Sequence, residues 1–376
     1  MTARDSALAA PAPATRHPYD LSAFLSAGEP SGDTIAAPLV EALARGGAAC
    51  SGVGGPEMRA AGLTALAQTE SLSAIGFTEV IASIPRHMRL ALEITRAWNR
   101  QRPDIAVLVD YPGFHLRLAR LAARRRLPVL YYVAPQLWAW QASRAARIRE
   151  TVSHVAAILP FEEGFFRRMG LPTTFVGNPV VDRARPERQA ARNAVGAGHR
   201  PVVALFPGSR RIETNRLTPL FLAAAARIRA ARRDVLILTG NREGQVGEGE
   251  CLASVAVAAA DVALCKSGTI TLEAALAGTP TVIAYRTNAA THWLAKRLVR
   301  VPYIGLPNLL LERTVVPELI QDQATPEALA SAVLHLLDRP QAAAAQRDAF
   351  RALPELLGPP GVAARVAALA AEVAGA

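Results

Sequence analysis

The sequence predicts an α/β protein made of two doubly wound domains, each built on its own parallel sheet. Its 376 residues exceed what one core usually serves, because single cores stop growing near about 250 to 300 residues. Short apolar or β-branched runs alternate with Gly/Pro/Ser turns and amphipathic helical stretches, a pattern typical of parallel sheets. With 51% hydrophobic and 19% charged residues, the chain has ample material for buried strands. We therefore expect two lobes facing each other across a cleft.

Eight strands are predicted, four in each half of the chain. Each is a short apolar run that a turn and a helical stretch follow. In the first half they span residues 20–25, 105–110, 129–133 and 154–159. In the second half they span residues 202–206, 235–239, 261–265 and 281–285.

The predicted domain boundary lies near residue 190, where strand character gives way to charge, Pro and Gly. This divides the chain into a first domain over 19–190 and a second domain over 191–350. An Ala/Pro-rich tail over 1–18 is expected to be disordered, and residues 351–376 form a terminal helical segment.

Composition argues against several classes of protein. No stretch of about 18 apolar residues runs without a charge, and the N-terminus lacks the apolar core of a secretory signal, so a cytoplasmic protein is expected. Three cysteines without CxxC spacing predict neither a disulfide framework nor a zinc site. The net charge of +11 comes almost entirely from scattered arginines without an RNA-binding aromatic motif. It favours phosphorylated substrates and an anionic membrane surface over nucleic acid.

Residues 75–98 form an apolar stretch with interspersed arginines and two possible roles. The segment could touch acyl chains or a bilayer surface, or it could be a core-packing helix interrupted at Pro85, which we weigh more heavily. The residues that suggest membrane contact are Phe77, Val80, Ile81, Ile84, Arg86, Met88 and Arg89.

Two acidic turns follow predicted strands of the first half, and ligands of open α/β sheets bind at such turns. Gly28–Asp33 (GEPSGD) is a small-residue turn in which Ser31, Gly32 and Asp33 would present polar groups to a ligand beside Glu29. The alternative is that Ser31 or Asp33 only caps the helix. Asp110 ends an apolar strand, where packing gives no reason for a charge, so it is the leading catalytic candidate. Its alternative role is also a helix cap.

Two further turns in the second half have the chemistry of an anion site. Pro207–Arg211 (PGSRR) opens a helix whose free N–H groups, with Ser209 and the fork of Arg210, suit a pyrophosphate. The second turn is KSGT, in which Ser267, Gly268 and Thr269 precede Glu273. Glu273 could accept hydrogen bonds from a ribose diol, although such residues are also common for structural reasons.

Missing motifs narrow the chemistry further. Neither GxGxxG nor GxxxxGK[ST] is present, which argues against dinucleotide oxidoreductases and P-loop ATPases. There is also no DxD motif, with which single-domain glycosyltransferases hold a metal on the pyrophosphate. We therefore expect no metal and no cofactor, with arginine and helix dipoles neutralising phosphate charge.

Ten stretches, in order along the chain, resemble the lipid-A-disaccharide synthases of Gram-negative bacteria. They cover nearly the whole chain after the tail, which makes the resemblance specific. The stretches are SAGEPSGD (26–33), GVGGPEM (52–58), IGFTEV (75–80), VDYPGF (109–114), YYVAPQLWAW (131–140), LPFEEGFF (159–166), FVGNPVVD (175–182), LFPGSRRIE (205–213), KSGTITLEAALAGTP (266–280) and WLAKRLVRVPYIGLPNLL (293–310).

The resemblance implies a GT-B fold of two Rossmann-like domains, with the lipid acceptor on the first, the UDP-sugar on the second and the last helix crossing back. It implies transfer of 2,3-diacylglucosamine from UDP-2,3-diacylglucosamine to 2,3-diacylglucosamine 1-phosphate (lipid X), with inversion and release of UDP, by an enzyme attached peripherally to the inner membrane. By motif, Asp110 and Glu29 are essential acidic residues, while Arg210, Glu273 and Asn308 belong to the UDP-sugar site. We expect Asp110 to act as the general base, kept ionised near neutral pH by the abundant arginine.

The sequence departs from the family pattern at two places, and it leaves rival functions open. His115 stands where Asn is expected, and residues 240–250 are too few for the usual extra helix and strand, which predicts a second sheet one strand short. The nearest rivals are a UDP-N-acetylglucosamine epimerase and a peptidoglycan-type glycosyltransferase on the same fold. A non-catalytic lipid-binding protein of the membrane surface is the rival from another class.

Overall fold

The architecture was analysed in a computed structural model, which describes residues 19–69, 79–140, 148–241, 250–288, 297 and 301–375. The side chains of 79–84, 139–140, 241 and 250 are outside that description. The tail over 1–18, expected to be disordered, lies outside the described residues, as does Phe77.

The first domain is built on a seven-stranded parallel sheet with strand order β3-β2-β1-β4-β5-β6-β7. The central strands β1, β4 and β5 are almost wholly buried, because helices cover both faces of the sheet. Chain order reverses between β1 and β4, which creates a switch point where ligands bind in such sheets. The strands are β1 (Ser22–Ala27), β2 (Ala49–Gly54), β3 (Thr64–Gln68), β4 (Ile105–Val109), β5 (Val129–Tyr132), β6 (His154–Ala157) and β7 (Thr173–Phe175).

The second domain has a six-stranded parallel sheet with strand order β10-β9-β8-β11-β12-β13 and a switch point between β8 and β11. Its strands are β8 (Val202–Phe206), β9 (Leu236–Asn241), β10 (Glu250–Leu252), β11 (Val262–Lys266), β12 (Thr281–Tyr285) and β13 (Glu318–Ile320). All eight predicted strands are confirmed, with ends shifted by at most two residues. The short segment over 240–250 ends in β10, a three-residue edge strand that pairs parallel with β9.

Helices connect the strands, and many of them begin with proline, which suits the first helical position because no N–H is needed there. The first domain contains α1 (Pro30–Arg45), α2 (Pro56–Ala60), α3 (Glu79–Arg100), α4 (Pro112–Ala123), α5 (Leu137–Trp140) and α6 (Pro160–Arg168). The second contains α7 (Arg188–Ala194), α8 (Arg211–Ala231), α9 (Ala253–Ala259), α10 (Ile270–Leu276), α11 (Leu306–Leu310), α12 (Pro326–Asp338) and α13 (Pro340–Phe350). The chain ends in α14 (Leu353–Leu357) and α15 (Val362–Ala374).

Helix α3 continues through Pro85, so the predicted interruption at that residue is wrong. Its inner face packs into the first core through Leu90, Ile94 and Trp98, spaced one helical turn apart. Its outer face exposes Met88 and Leu92. The segment is therefore a core-packing helix with an apolar outer strip.

Helix α15 returns to the first domain and completes its core. Val362, Val366 and Ala370 are buried together with Leu39 of α1 and Ile105 of β4. Within the described ranges, one stretch, Pro340–Ala374, has the length and apolar composition of a membrane span. The stretch consists of three separate helices, and the apolar residues of α15 are packed in the core of the first domain.

The two domains share a small apolar cluster. Leu159 and Val180 of the first part of the chain are buried there with Leu272, Ile283 and Leu310 of the second. A 3-10 turn over Pro179–Asp182 and the following residues link the two sheets, and the Asp182 carboxylate accepts hydrogen bonds from the backbone N–H groups of Gly361 (2.7 Å) and Val362 (2.8 Å). The linker and the start of α15 are thereby fastened together.

Candidate active site

The carboxyl ends of the two sheets meet across a cleft, and the predicted acidic and basic loops lie on its two sides. Arg210, at the start of α8, donates from Nη2 and Nε to Glu29 Oε2 at 2.7 and 3.2 Å. Glu29 precedes α1 in the first domain. The structure therefore brings together two predicted site residues that are 181 positions apart in the chain.

The turn after β4 is held in a strained backbone conformation. Asp110 and Tyr111 both have left-handed φ angles, 52° and 49°, which cost about 1–3 kcal/mol each for residues other than glycine. The Asp110 carbonyl accepts hydrogen bonds from the Tyr131 hydroxyl and from His115 Nδ1, both at 2.8 Å. Two buried side chains thus fix the direction in which this residue leaves the strand.

His115 is a positioning residue. Its ring is fully buried (0% exposed), Nδ1–H donates to the Asp110 carbonyl, and Nε2 accepts from the Ser26 hydroxyl at 2.9 Å. Burial lowers the His115 pKa to about 4, so the ring is neutral at physiological pH and both nitrogens are already engaged. His115 therefore supports the turn, and it offers one donor and one acceptor, as the Asn expected at this position would.

The Asp110 carboxylate is partly exposed after β4, and both burial and neighbouring charges act on its ionisation. Burial and the neighbouring charge of Glu29 raise its pKa, and these effects outweigh a backbone hydrogen bond and Arg210, which lower it. Arg210 thus acts against the rise without cancelling it, and the expectation that arginine keeps Asp110 ionised near neutral pH stays a prediction. A raised pKa makes the carboxylate a stronger base, which is how enzymes tune such groups.

Gly28 and Gly32 are both needed for close approach of backbone at this edge. A Cβ on Gly28 would lie 2.1 Å from Cδ1 of Tyr111, and one on Gly32 would lie 3.3 Å from the Cβ of Ala27. Ser31, in the first turn of α1, is partly exposed. Gly32 therefore serves packing, whereas Ser31 remains placed to meet a ligand.

Asp33 is bonded within the fold, and its contact with substrate stays a prediction that these bonds argue against. It is only 2% exposed. Its Oδ1 accepts from the N–H groups of Gly55 (2.8 Å) and Met58 (3.1 Å), and its Oδ2 accepts from that of Glu57 (3.0 Å). Asp33 therefore caps the N-terminus of α2, with no oxygen turned toward the cleft.

The turn after β8 carries Ser209 and Arg210 to the cleft. Gly208 has a φ of 124°, a conformation that side-chain-bearing residues rarely adopt. Arg210 also approaches Glu213 at 3.6 Å, and Glu213 forms an ion pair with Lys266 at 2.9 Å. The loops after β8 and β11 are therefore linked by charge.

The turn after β11 contains Ser267, Gly268 and Thr269, of which Thr269 is exposed and the other two are partly exposed. The Ser267 hydroxyl donates to the carbonyl of Ile304 at 2.6 Å. One turn into α10, Glu273 forms an ion pair with Arg183 of the linker. These residues lie at the carboxyl edge of the second sheet, and Arg183 engages one oxygen of the carboxylate predicted for the ribose.

Asn308 is bonded within the fold, and its place in the UDP-sugar site stays a prediction that this bonding argues against. It is fully buried (0% exposed), and its amide donates to Val316 O and Glu318 Oε1, each at 2.8 Å. Its Oδ1 accepts from the N–H groups of Val315 and Val316, again at 2.8 Å. Because every bond of the side chain is used within the fold, Asn308 shapes the loop around α11.

Glu162 is a buried carboxyl group that the sequence analysis did not single out. It accepts from Trp138 Nε1 (3.0 Å) and from the N–H groups of Ile158 (3.2 Å) and Leu159 (3.1 Å). Burial raises its pKa to about 7. Trp138 packs edge-on against Phe161 beside the cluster that joins the domains, so Glu162 fixes an aromatic residue next to the contact between the domains. The sequence signal that could have indicated this role is a glutamate three residues after Leu159, at the N3 position of α6, where a side chain can bond to the backbone of the helix start.

Over the ranges that the structure describes, no group of three or more His, Cys, Asp or Glu side chains is arranged to hold a metal ion.

Comparison with known proteins decides the family. A sequence model described as Lipid-A-disaccharide synthetase matches residues 23–371, nearly the whole chain. The chain belongs to this family. The resemblance drawn from its motifs is thereby confirmed, and so is the prediction of a glycosyltransferase.

Relatives in the lipid-A-disaccharide synthase family match over almost their full length. The chain is 40% identical to the Lipid-A-disaccharide synthase of Anaeromyxobacter sp. (strain K) over 364 residues, which cover 92% of this chain and 95% of that protein. It is 39% identical to the one of Thiobacillus denitrificans over 361 residues, covering 91% and 97%.

Solved structures confirm the GT-B fold. A calicheamicin glycosyltransferase matches with a TM-score of 0.56 at 18% identity, covering 94% of this chain and 98% of that one. S. aureus MnaA, in a co-structure with UDP, matches with a TM-score of 0.63 at 10% identity, covering 92% and 94%. At these identities the likeness concerns the fold, and the family assignment rests on the closer relatives.

Proposed function

We propose that this member of the lipid-A-disaccharide synthase family transfers 2,3-diacylglucosamine from UDP-2,3-diacylglucosamine to the 6-hydroxyl of 2,3-diacylglucosamine 1-phosphate. The products are the β-1,6-linked disaccharide 1-phosphate and UDP. The main support is the placement of Asp110, a carboxylate of raised pKa on a strained turn, on the side of the cleft opposite Arg210. The acceptor lies on the first domain and the donor on the second.

Asp110 takes the proton of the attacking hydroxyl, while the diphosphate leaves from the opposite face of the sugar. One-step inversion needs one such base. Glu29, beside Asp110, holds the acceptor, and Arg210 binds the diphosphate through its planar fork. The charge that builds on the leaving phosphate is neutralised by Arg210 and by the N-terminal dipole of α8, without a metal ion.

The experiment is Asp110→Asn, which keeps the shape of the side chain and removes its ability to accept a proton. Turnover is expected to fall about 10²-fold or more, with UDP binding retained. Asp104→Asn, at the other end of β4, is the matched control because Asp104 is exposed and bonds only to Ser22 in the described contacts. If Asp110→Asn keeps its turnover and Glu29→Gln loses it, the two roles are exchanged. If both stay active, neither carboxylate is the base.

Product analysis separates this activity from those of other GT-B enzymes that act on UDP-N-acetylglucosamine. An acylated acceptor should give a disaccharide, whereas a non-acylated acceptor should give none. Epimerised sugar or transfer to a non-acylated acceptor would instead support an epimerase or a peptidoglycan-type enzyme. A chain that UDP does not stabilise against heat would support the non-catalytic lipid-binding function.

We also propose reversible attachment to the cytoplasmic face of the inner membrane through α3. Met88 and Leu92 are 60% and 57% exposed one turn apart, and the exposed Arg89 and Arg96 lie beside them. Apolar side chains flanked by arginine suit an anionic bilayer surface. Vesicles with anionic lipid should sediment the protein at low salt and release it at high salt. Met88→Ser/Leu92→Ser should weaken this binding, and Leu222→Ser, at an exposed leucine of α8, is the control. Sedimentation that ignores salt and lipid charge would contradict the electrostatic part.

A further inference from the structure

Lys266 is a cation at the end of a strand that is otherwise completely buried. Val262–Cys265 of β11 have no exposed surface to speak of, and the Lys266 side chain itself is only 18% exposed. Burying an ammonium group costs free energy unless it is paired or has a ligand, and packing of β11 gives no reason for a charge there. The position matches that of Asp110 in the first sheet, where the charged residue also follows the buried strand.

The ammonium group of Lys266 shares the edge of the sheet with Arg210. Strands β8 and β11 are neighbours at the switch point, with Phe206 paired to Cys265, so the loops after them emerge side by side. Lys266 Nζ lies 3.9 Å from the position that a Cβ on Gly268 would take. Both cations therefore flank the place where the donor-binding loops converge.

Four alternating charges run across the cleft from Lys266 to the first domain. Lys266 contacts Glu213 (2.9 Å), Glu213 approaches Arg210 (3.6 Å), and Arg210 contacts Glu29 (2.7 Å). Each of the two cations is thus paired with a carboxylate. A diphosphate, with its several anionic oxygens, presents to these cations the same chemistry as the two carboxylates.

We propose that Lys266 is a further donor-binding residue, which with Arg210 binds and neutralises the leaving diphosphate of the UDP-sugar. This inference rests on the proposed glycosyl transfer. As the bond between the anomeric carbon and the β-phosphate oxygen breaks, its electron pair stays on that oxygen, and a nearby ammonium stabilises the charge. Glu213 holds Lys266 in position in the free enzyme and becomes its second neighbour when the diphosphate is bound.

The simpler alternative is that Lys266 is only the counter-ion of Glu213. Removing Lys266 would then free Glu213 to pair with Arg210 and weaken UDP binding indirectly. A double variant separates the two cases, because Glu213→Gln removes the freed carboxylate. If Lys266 binds phosphate, the double variant Lys266→Met/Glu213→Gln regains thermal stability without regaining affinity for UDP.

The experiment measures the affinities of UDP, UMP and uridine by calorimetry, which requires no acceptor. For Lys266→Met, UDP should bind about 10- to 100-fold more weakly, as expected for loss of a hydrogen bond to a charged group, with uridine unchanged. Lys266→Arg should retain part of the affinity. Arg227→Met is the matched control, because Arg227 pairs with Glu327 on the outer helices of the same domain.

Two outcomes would overturn the inference. Unchanged UDP affinity in Lys266→Met would show that the ammonium group does not bind the diphosphate. Wild-type affinity in the double variant would show that Lys266 is only the counter-ion of Glu213. Failure of the proposed function looks different, because the wild-type enzyme would then bind no UDP or form no disaccharide. Turnover with saturating donor adds a second readout, since a group that stabilises the leaving charge should lower kcat as well as affinity.

Discussion

Replacing Asp33 should destabilise the first domain and leave the chemistry of the folded enzyme intact. The Asp33→Ala change removes three hydrogen bonds between a buried carboxylate and the N–H groups of Gly55, Glu57 and Met58. A charge-assisted bond contributes about 1.5–3 kcal/mol and a helix cap about 1 kcal/mol, and such contributions are not additive. We therefore expect a loss of about 3–5 kcal/mol in the free energy of unfolding.

A graded variant tests the same reasoning. Asp33→Asn can keep both bonds at Oδ1 and loses only the bond that Oδ2 accepts from Glu57, so the expected loss is about 1–2 kcal/mol. Gly55→Ala approaches the site from the other side, because a Cβ there would lie 2.4 Å from Asp33 Oδ2. This variant should push the carboxylate out of place and resemble Asp33→Ala.

Thermal unfolding and steady-state kinetics together make the assay. For a domain of this size about 1 kcal/mol corresponds to roughly 2–4 °C, so Asp33→Ala should lower Tm by about 6–20 °C. Turnover and KM, measured well below the lowered Tm, should stay within about twofold of wild type. An unchanged Tm combined with a tenfold rise in KM would refute the reasoning and return Asp33 to the substrate site.

Three further predictions concern the cleft. Arg210→Lys should raise KM for the donor and lower turnover, because an ammonium group cannot bind two phosphate oxygens at once as a planar guanidinium does. An unchanged KM and turnover would show that Arg210 does not bind the donor. Glu29→Gln should move the acid limb of the pH profile of kcat/KM to lower pH. The reason is that the Glu29 charge raises the Asp110 pKa, and only ionised Asp110 accepts a proton. An acid limb that stays in place or moves to higher pH would contradict this. Turnover should survive EDTA, and activity that is lost and then restored by magnesium would disprove metal independence.

Sequence patterns found the strands that contain an apolar run, and they missed the others for a physical reason. Strand β2 reads ACSGVG, and its small and polar residues leave no apolar run to detect. Strands β3, β7, β10 and β13 lie at sheet edges, where one side has no partner strand and three to five residues suffice. The central strands define the fold class, which is why that class was predictable.

A site residue was predictable where its charge stood out from the apolar residues before it in the sequence. The role of a residue was unpredictable where its hydrogen-bond partners come from other parts of the chain. Asp110 stood out because a charge follows a buried strand, and the structure places it in a strained turn beside Glu29. Asp33 and Asn308 also have polar or charged side chains, but their positions in the sequence did not show what these side chains bind. Their partners are donors and acceptors brought together by folding, at Gly55 for Asp33 and at Glu318 for Asn308, and no local pattern reveals these bonds.

A ribosome making this protein releases most of the second domain before the core of the first can close. Helix α15 supplies Val362, Val366 and Ala370 to that core, yet it is made about 190 residues after β7, the last strand of the first sheet. At roughly 5–20 residues per second, the face of the sheet that α15 covers waits about 10–40 seconds, open to water and to other nascent chains. Proteolysis of chains stalled so that residue 350 has just left the ribosome should find the first domain accessible and the second protected. A first domain already protected at that length would show that it closes without its last helix.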